Sequence, residues 1–266
     1  MTLTLTPIMH DDLCHGLRWT VQDIDALAEQ VAGVALGQYR HVAKILEDLN
    51  IQPKITTAQH AANAIQKLQV AKDGSPWHRD GWIFQVISWI AANLQEKGAI
   101  LQPPHAYHAH KGFDGVQLKL SSDKKSVSAI VIFEDKATTN ERSKIKQEVL
   151  PDIIDLESGG RVAELTSEAT ALLEAQQHAF ANLDIDEAID KILWQEVRNY
   201  RIAITIDDSL ESDANRKKLF KDYDLAAPGL VDRRQAETMH FNDLRQWMAD
   251  FSSLVTQKII ALVPDV

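Results

Sequence analysis

The chain has 266 residues, of which 45% are hydrophobic and 25% are charged, as in an ordinary globular protein. Its one cysteine, Cys14, excludes an internal disulfide and a cysteine-based zinc cage. The net charge of −10 argues against avid, non-specific binding to nucleic acid. No apolar run reaches the roughly 18 residues of a membrane span, and the first residues lack a secretory signal, so we expect a cytoplasmic protein.

The first third of the chain is predicted to be helical. Thr20 is a candidate helix N-cap, and apolar residues recur at helical spacing from Ile24 onward. A second helix fits Thr57–Ala71, and a polar loop follows it. This pattern predicts a helical N-terminal portion at residues 1–76.

A buried helix and three strands are predicted next. Apolar residues surround nearly the whole circumference of Gly81–Gln95, which is typical of a helix inside a protein. Phe113–Leu120 and Val127–Lys136 alternate as strands do, and the second, apolar on both faces, should be a central strand. Tyr200–Ile206 is rich in β-branched residues and predicts another strand.

The remaining segments are predicted to be helical: Asn140–Ile154, Val162–Ala181, Asp186–Val197, Asp213–Asp222 and about Asp232–Leu262. Strands that interleave with helices predict an α/β (α+β) fold. We expect a mixed sheet core flanked by helices over residues 77–210, and a helical C-terminal extension over residues 211–266.

Charged residues stand at the ends of the first two strands. Asp114 opens one strand, and Glu134 and Lys136, two residues apart and therefore on one face, end the next. Neighbouring carboxylates repel each other, and Mg²⁺, which uses one or two carboxylates and retains waters, relieves that repulsion. A bound cation polarises a phosphoryl oxygen and activates water, while a lysine offsets charge in the transition state. These residue types predict metal-assisted hydrolysis of phosphodiester bonds.

The pattern Asp114…Glu134-x-Lys136 resembles the PD-(D/E)XK nuclease superfamily, whose fold is restriction-endonuclease-like. That family places a helix before its first core strand, and the segment RDGWIFQVISWIAANLQEKG is similar to it. The likeness covers about Arg79–Ile206. In pairing a Gly-Phe-Asp-Gly turn with an E-x-K strand, the chain also resembles bacterial anti-phage defence effectors such as the HamA subunit of Hachiman systems.

The resemblance implies a role for each residue of the motif. Asp114, Glu134 and the backbone carbonyl of Asp135 would bind Mg²⁺ or Mn²⁺. Lys136 would hold the attacking water, and Gln85 would buttress the site or touch a metal-bound water. DNA is the expected substrate, ahead of RNA.

The chain departs from the family pattern at two positions. Phe113 stands before Asp114, where proline is usual, and Asp135 is acidic, where a neutral residue is usual. By strand alternation the Asp135 side chain should point away from Glu134, toward solvent or toward another partner.

Two alternatives remain open. Glu134 and Lys136 can form a strand-end ion pair while Asp114 caps a turn, without any catalytic role. The chain would then be a non-catalytic helical partner subunit with a degenerate nuclease-like core. A nuclease subunit held inactive by a larger protein, such as a helicase or an ATPase, combines both possibilities.

Other polar residues suggest further chemistry. His105, His108 and His110 can form a solvated loop, assist acid–base catalysis or bind zinc. Cys14 and the histidine that follows it are a poor nucleophile pair, because nothing nearby lowers the thiol pKa. Five basic residues are predicted to contact phosphates: Lys144, Lys146, Arg216, Lys217 and Lys218.

Overall fold

One mixed sheet runs through the described part of the chain. The computed structural model describes residues 2–47, 51, 54–70, 74–98, 100–105, 112–123, 125–176, 183–192 and 197–264. The strands of these residues are β1 (Leu3–His10), β2 (Cys14–Val21), β3 (Ile100–Leu101), β4 (Gly115–Leu120), β5 (Val127–Lys136), β6 (Arg198–Ile206) and β7 (Arg234–His240). Their order across the sheet is β1-β2-β7-β6-β5-β4-β3. The central strands β2, β7, β6 and β5 are parallel, and the outer pairs are antiparallel.

Helices cover both faces of this sheet. They are α1 (Ile24–Ala35), α2 (Tyr39–Leu46), α3 (Ala58–Gln66), α4 (Trp77–Gln95), α5 (Glu141–Lys144), α6 (Leu150–Glu157), α7 (Val162–Ala175), α8 (Ile185–Ile192), α9 (Asp213–Leu219), α10 (Tyr223–Ala226) and α11 (Leu244–Ala261). A π-helical turn, Ile145–Val149, joins α5 to α6. None of the helices in the described ranges is long and apolar enough to cross a membrane.

Two hydrophobic layers hold the helices against the sheet. One contains residues of α1, α4 and α11, and we call this side of the sheet the α4 face. The other contains residues of α6, α7, α9 and α10, and we call it the α7 face. Ile130 and Ile132 of β5 belong to the second layer, whereas Val131 and Phe133 pack with Ala92 of α4. β5 is therefore covered on both sides, as a central strand should be.

Several predicted elements are confirmed. β5 has the predicted bounds, β4 begins two residues later than predicted, and β6 begins two residues earlier. The predicted buried helix is α4, whose residues from Trp82 to Ala92 are buried apart from Gln85. The coarse fold class, a mixed α/β structure with a sheet flanked by helices, is also confirmed.

Two predictions about the ends of the chain are wrong. The N-terminal portion is not helical throughout, because β1 and β2 form an antiparallel hairpin before α1. The last predicted helix does not begin at Asp232, because β7 occupies Arg234–His240 in the middle of the sheet. The sequence of β7, RQAETMH, lacks apolar alternation, and its Arg234 and Glu237 side chains are bonded to partners distant in the chain. The three-part division at residues 76 and 210 stays a prediction, and the sheet takes strands from all three parts.

Gly16 allows the N-terminal hairpin to join the sheet. It lies in β2 beside β7, where a Cβ atom would overlap the backbone of Ala236. Glycine in a strand commonly marks such a close approach of two backbones. Gly16 is therefore required for the parallel pairing of β2 with β7.

We predict that Gly16→Ala lowers the free energy of unfolding by about 1–3 kcal/mol, because the added methyl group forces β2 away from β7. Urea denaturation measures the change. The control is Gly81→Ala in α4, where an added Cβ meets nothing within 4 Å. This substitution should stabilise the helix by about 0.5–1 kcal/mol. Equal stability of Gly16→Ala and the wild type would contradict the close approach.

Candidate active site

The antiparallel pairing of β4 with β5 brings the two predicted carboxylates together. Gly115 is opposite Phe133 in the register. Asp114 lies one residue before Gly115, just outside β4, and Glu134 lies one residue after Phe133, near the end of β5. Both carboxylates therefore lie at one end of the strand pair, next to the last residue of β5, Lys136.

Lys136 lies between the two carboxylates. Its Nζ is 2.7 Å from Asp114 Oδ2 and 2.8 Å from Glu134 Oε2. The Glu134 side chain is 7% exposed, whereas those of Asp114 and Lys136 are 18% and 21% exposed. One ammonium group thus bonds to two carboxylates at the boundary between the interior and the solvent, and offsets one of their two negative charges.

The charges shift the pKa values of this cluster. Burial raises the pKa of the Glu134 carboxyl, and the Asp114 charge adds to that rise while Lys136 opposes it. Burial lowers the pKa of the Lys136 amine, but the two carboxylates outweigh burial and leave that pKa above its usual value. The charged form of the Glu134 carboxylate therefore needs a nearby cation to stabilise it, and Lys136 is that cation.

Two further hydrogen bonds orient Asp114. Gln85, on α4, donates from Nε2 to Asp114 Oδ1 at 2.5 Å. The backbone N–H of Asp135 donates to Asp114 Oδ2 at 2.8 Å. The structure thus brings together Gln85, Asp114, Glu134 and Lys136, the four residues to which the family resemblance assigns roles at the site.

The Asp135 side chain points to the opposite side of the sheet, as strand alternation predicts. It is buried on the α4 face, where Ser88 Oγ donates to its Oδ1 at 2.7 Å. Burial raises the pKa of this carboxyl to about 8, although the nearby Arg201 opposes the rise. Of the two environments that the sequence left open for Asp135, a buried partner is the correct one.

A buried polar network on the α4 face is not predicted from the sequence. Arg201 of β6 donates to Ser88 Oγ at 3.0 Å and to Glu237 Oε2 of β7 at 2.7 Å. Glu237 also accepts hydrogen bonds from Trp19 Nε1 at 2.9 Å and Gln95 Nε2 at 2.7 Å. One signal was available: Arg201 interrupts an apolar strand, and an arginine in a central strand requires a buried partner.

The donor set fits a hard divalent cation. The described residues contain no group of three or more His, Cys, Asp or Glu side chains that could hold a metal ion. Mg²⁺, however, commonly uses one or two carboxylates and completes its shell with water. Asp114 and Glu134 already direct one oxygen each at a single cationic nitrogen, and the carbonyl of Asp135 lies between Glu134 and Lys136 in the chain. These groups would hold Mg²⁺ or Mn²⁺.

Two of the predicted phosphate-binding residues, Arg216 and Lys217, have partners of their own. Arg216 is buried and bonded to Asp213 and the Glu211 carbonyl. Lys217 pairs with Asp11 in the β1–β2 turn, and β1 is four strands from β5, roughly 19 Å at normal strand spacing.

The other three basic residues are on helix surfaces. Lys218 contacts Asn215 on its own helix, Lys144 pairs with Glu148, and Lys146 is exposed. Their contacts with phosphate stay predictions.

His105 supports the strand that begins at the site. Its Nε2 is 2.8 Å from the carbonyl oxygen of Phe113, and its own carbonyl accepts a hydrogen bond from Trp82 Nε1. The Arg161 guanidinium stacks on the Phe113 ring at 4.1 Å. His108 and His110 lie outside the described residues, so zinc binding by the three histidines stays a prediction.

Comparison with known proteins assigns no family. No family model matches the chain, and no curated protein matches its sequence. The chemistry of the site is therefore inferred from its own residues.

We predict that Lys136→Met lowers the free energy of unfolding by about 3 kcal/mol in metal-free buffer, because it leaves Glu134 and Asp114 without a neutralising charge. Urea denaturation in the presence of a chelator measures it. Lys119→Met is the matched control. Lys119 Nζ lies 3.9 Å from Glu96 Oε2, and the two side chains are 32% and 42% exposed. That control should change stability by about 0–1 kcal/mol; equal effects of the two variants would contradict the central role of Lys136.

Cys14 is no nucleophile in the folded protein. It is completely buried, and burial raises its thiol pKa to about 12. We predict that a thiol reagent at pH 8 labels the native protein at least ~10³-fold more slowly than the urea-unfolded chain, because labelling requires unfolding. The unfolded thiol loses its proton near its ordinary pKa of about 9, whereas the folded thiol keeps it until about 12. The free energy of unfolding should therefore fall as pH rises from about 9 to 12. Rapid labelling of the native protein would contradict this burial.

Proposed function

We propose that the protein is a metal-dependent nuclease that hydrolyses phosphodiester bonds. One observation carries the proposal: the carboxylates of Asp114 and Glu134 converge on Lys136 Nζ at 2.7 and 2.8 Å, at the partly exposed end of β4 and β5. This arrangement supplies two hard oxygen ligands and one hydrogen-bond donor within a few ångströms.

Each residue of the site has its own role in hydrolysis. When bound, a divalent cation polarises a phosphoryl oxygen and lowers the pKa of water. Asp114 and Glu134 hold the cation, and Gln85 keeps the Asp114 carboxylate in place. Lys136 donates hydrogen bonds to the attacking water and offsets the negative charge that builds on the phosphate.

The finer assignment extends the same proposal. We infer a restriction-endonuclease-like core, DNA as the substrate ahead of RNA, and a cytoplasmic effector of bacterial defence that works with a larger helicase or ATPase. The resemblance of the Asp114…Glu134-x-Lys136 pattern supports this assignment. The acidic balance of the chain fits it, since a nuclease with net charge −10 binds its host's DNA weakly without a partner.

A non-catalytic partner subunit is the second candidate. One observation favours it: Lys136 already donates hydrogen bonds to both carboxylates, so each of them has a cationic partner without a metal. This candidate requires that no assembly containing the chain cleaves nucleic acid. It also requires that divalent cations bind no more tightly to the wild type than to Glu134→Ala.

The nuclease proposal is tested by cleavage of DNA and RNA with Mg²⁺ or Mn²⁺. We expect Glu134→Ala and Lys136→Ala to lose at least ~10³-fold in rate, because each removes a group that stabilises the transition state. Lys119→Ala, on the same pair of strands, should retain the wild-type rate. Cleavage that survives both site substitutions would exclude this site as its source.

A further inference from the structure

A chain of hydrogen bonds runs from the middle of the sheet to the candidate site. Arg201 Nη1 donates to Ser88 Oγ at 3.0 Å, and Ser88 Oγ donates to Asp135 Oδ1 at 2.7 Å. The backbone N–H of Asp135 then donates to Asp114 Oδ2 at 2.8 Å. Arg201 on the α4 face is thus connected to a carboxylate that converges on Lys136.

Arg201 is itself held firmly. Its side chain is 1% exposed, and its Nη2 donates to Glu237 Oε2 at 2.7 Å. The guanidinium lies 4.4 Å from the centroid of the Phe133 ring and 5.2 Å from that of Trp19. A planar guanidinium group held by an ion pair and two aromatic rings has little conformational freedom. Its Nη1 therefore donates to the Ser88 hydroxyl in a fixed direction.

We propose that Arg201 is a positioning residue for the metal site, acting through Ser88 and Asp135; this inference rests on the proposed nuclease function. Anchoring the Asp135 side chain fixes its Cα atom and the peptide groups on either side. One of those groups carries the N–H that orients Asp114, and the other carries the carbonyl expected to bind the cation. Groups behind metal ligands commonly set ligand orientation and affinity in this way.

The geometry of Arg201 favours positioning over simple charge balance. Neutralising Glu237 requires one positive charge near one oxygen, which a lysine could supply. Arg201 instead donates from Nη2 to Glu237 and from Nη1 to the Ser88 hydroxyl, and Nη2 also donates to the Ser88 carbonyl oxygen at 3.3 Å, so that one rigid group connects both residues. A buried ion pair alone adds little net stability compared with apolar packing.

The test measures Mn²⁺ affinity by calorimetry, together with hydrogen exchange of the Asp135 amide in the metal-free protein. Ser88→Ala removes the hydroxyl that links Arg201 to Asp135. Arg201→Lys keeps the positive charge but loses the planar guanidinium group. We expect both to weaken Mn²⁺ binding by about 10–100-fold and to speed exchange at Asp135, with exchange at Ile132 unchanged. Should Arg201→Lys fail to fold, Ser88→Ala still decides.

Gln117→Ala is the matched control. It removes another hydrogen bond between β4 and the end of α4, from Gln117 Nε2 to Glu96 at 2.9 Å, but none to Asp135. Its Mn²⁺ affinity and Asp135 exchange should equal those of the wild type.

The outcomes separate this inference from the proposed function. Wild-type affinity and wild-type exchange in Ser88→Ala, with Mn²⁺ binding lost in Glu134→Ala, would overturn the role of Arg201 and leave the nuclease proposal standing. A wild type that binds Mn²⁺ no better than Glu134→Ala would overturn both.

Discussion

The need to neutralise buried charge at the carboxyl end of β5 governs this structure. Three consecutive ionisable residues, Glu134, Asp135 and Lys136, end a strand that has neighbours on both sides and helices on both faces. A buried ionisable group without a partner is expensive, and each of the three side chains has a hydrogen-bond partner. Strand alternation sends Glu134 and Lys136 to one face and Asp135 to the other. The same strand end therefore supports two separate polar systems.

The two systems meet at the backbone of Asp135. On the α7 face, Lys136 joins Glu134 to Asp114; on the α4 face, Ser88 joins Asp135 to Arg201. Asp114 lies one residue before β4, and the other supports come from β6, β7 and α4, each of which is a regular helix or strand. A site carried on such elements keeps its geometry better than one carried on loops. The parallel pairing of β5, β6 and β7 thus places residues that support the site as well as residues of the core.

The sequence was sufficient for the part of the fold governed by local periodicity. β5 and α4 have unmistakable patterns, and the spacing of Glu134 and Lys136 was enough to place them on one face. β7 could not be found in this way, because Arg234–His240 is polar and becomes a central strand only when partners such as Arg201 satisfy its side chains. The placement of Arg201 behind the site depends on contacts far apart in the chain, which periodicity does not encode. The ion pair of Lys217 with Asp11 likewise joins segments far apart in the chain and could not be predicted from periodicity.

We expect Asp114 and Glu134 to form a cation site whose place Lys136 occupies in the metal-free protein. A crystal structure with Mn²⁺, located by its anomalous scattering, would show whether the cation binds there. We predict Mn²⁺ within ligand distance of both carboxylates, with Lys136 Nζ moved from its position between them. Crystals soaked in Mn²⁺ that show no ion there, with Lys136 Nζ still hydrogen-bonded to both Asp114 and Glu134, would contradict the account.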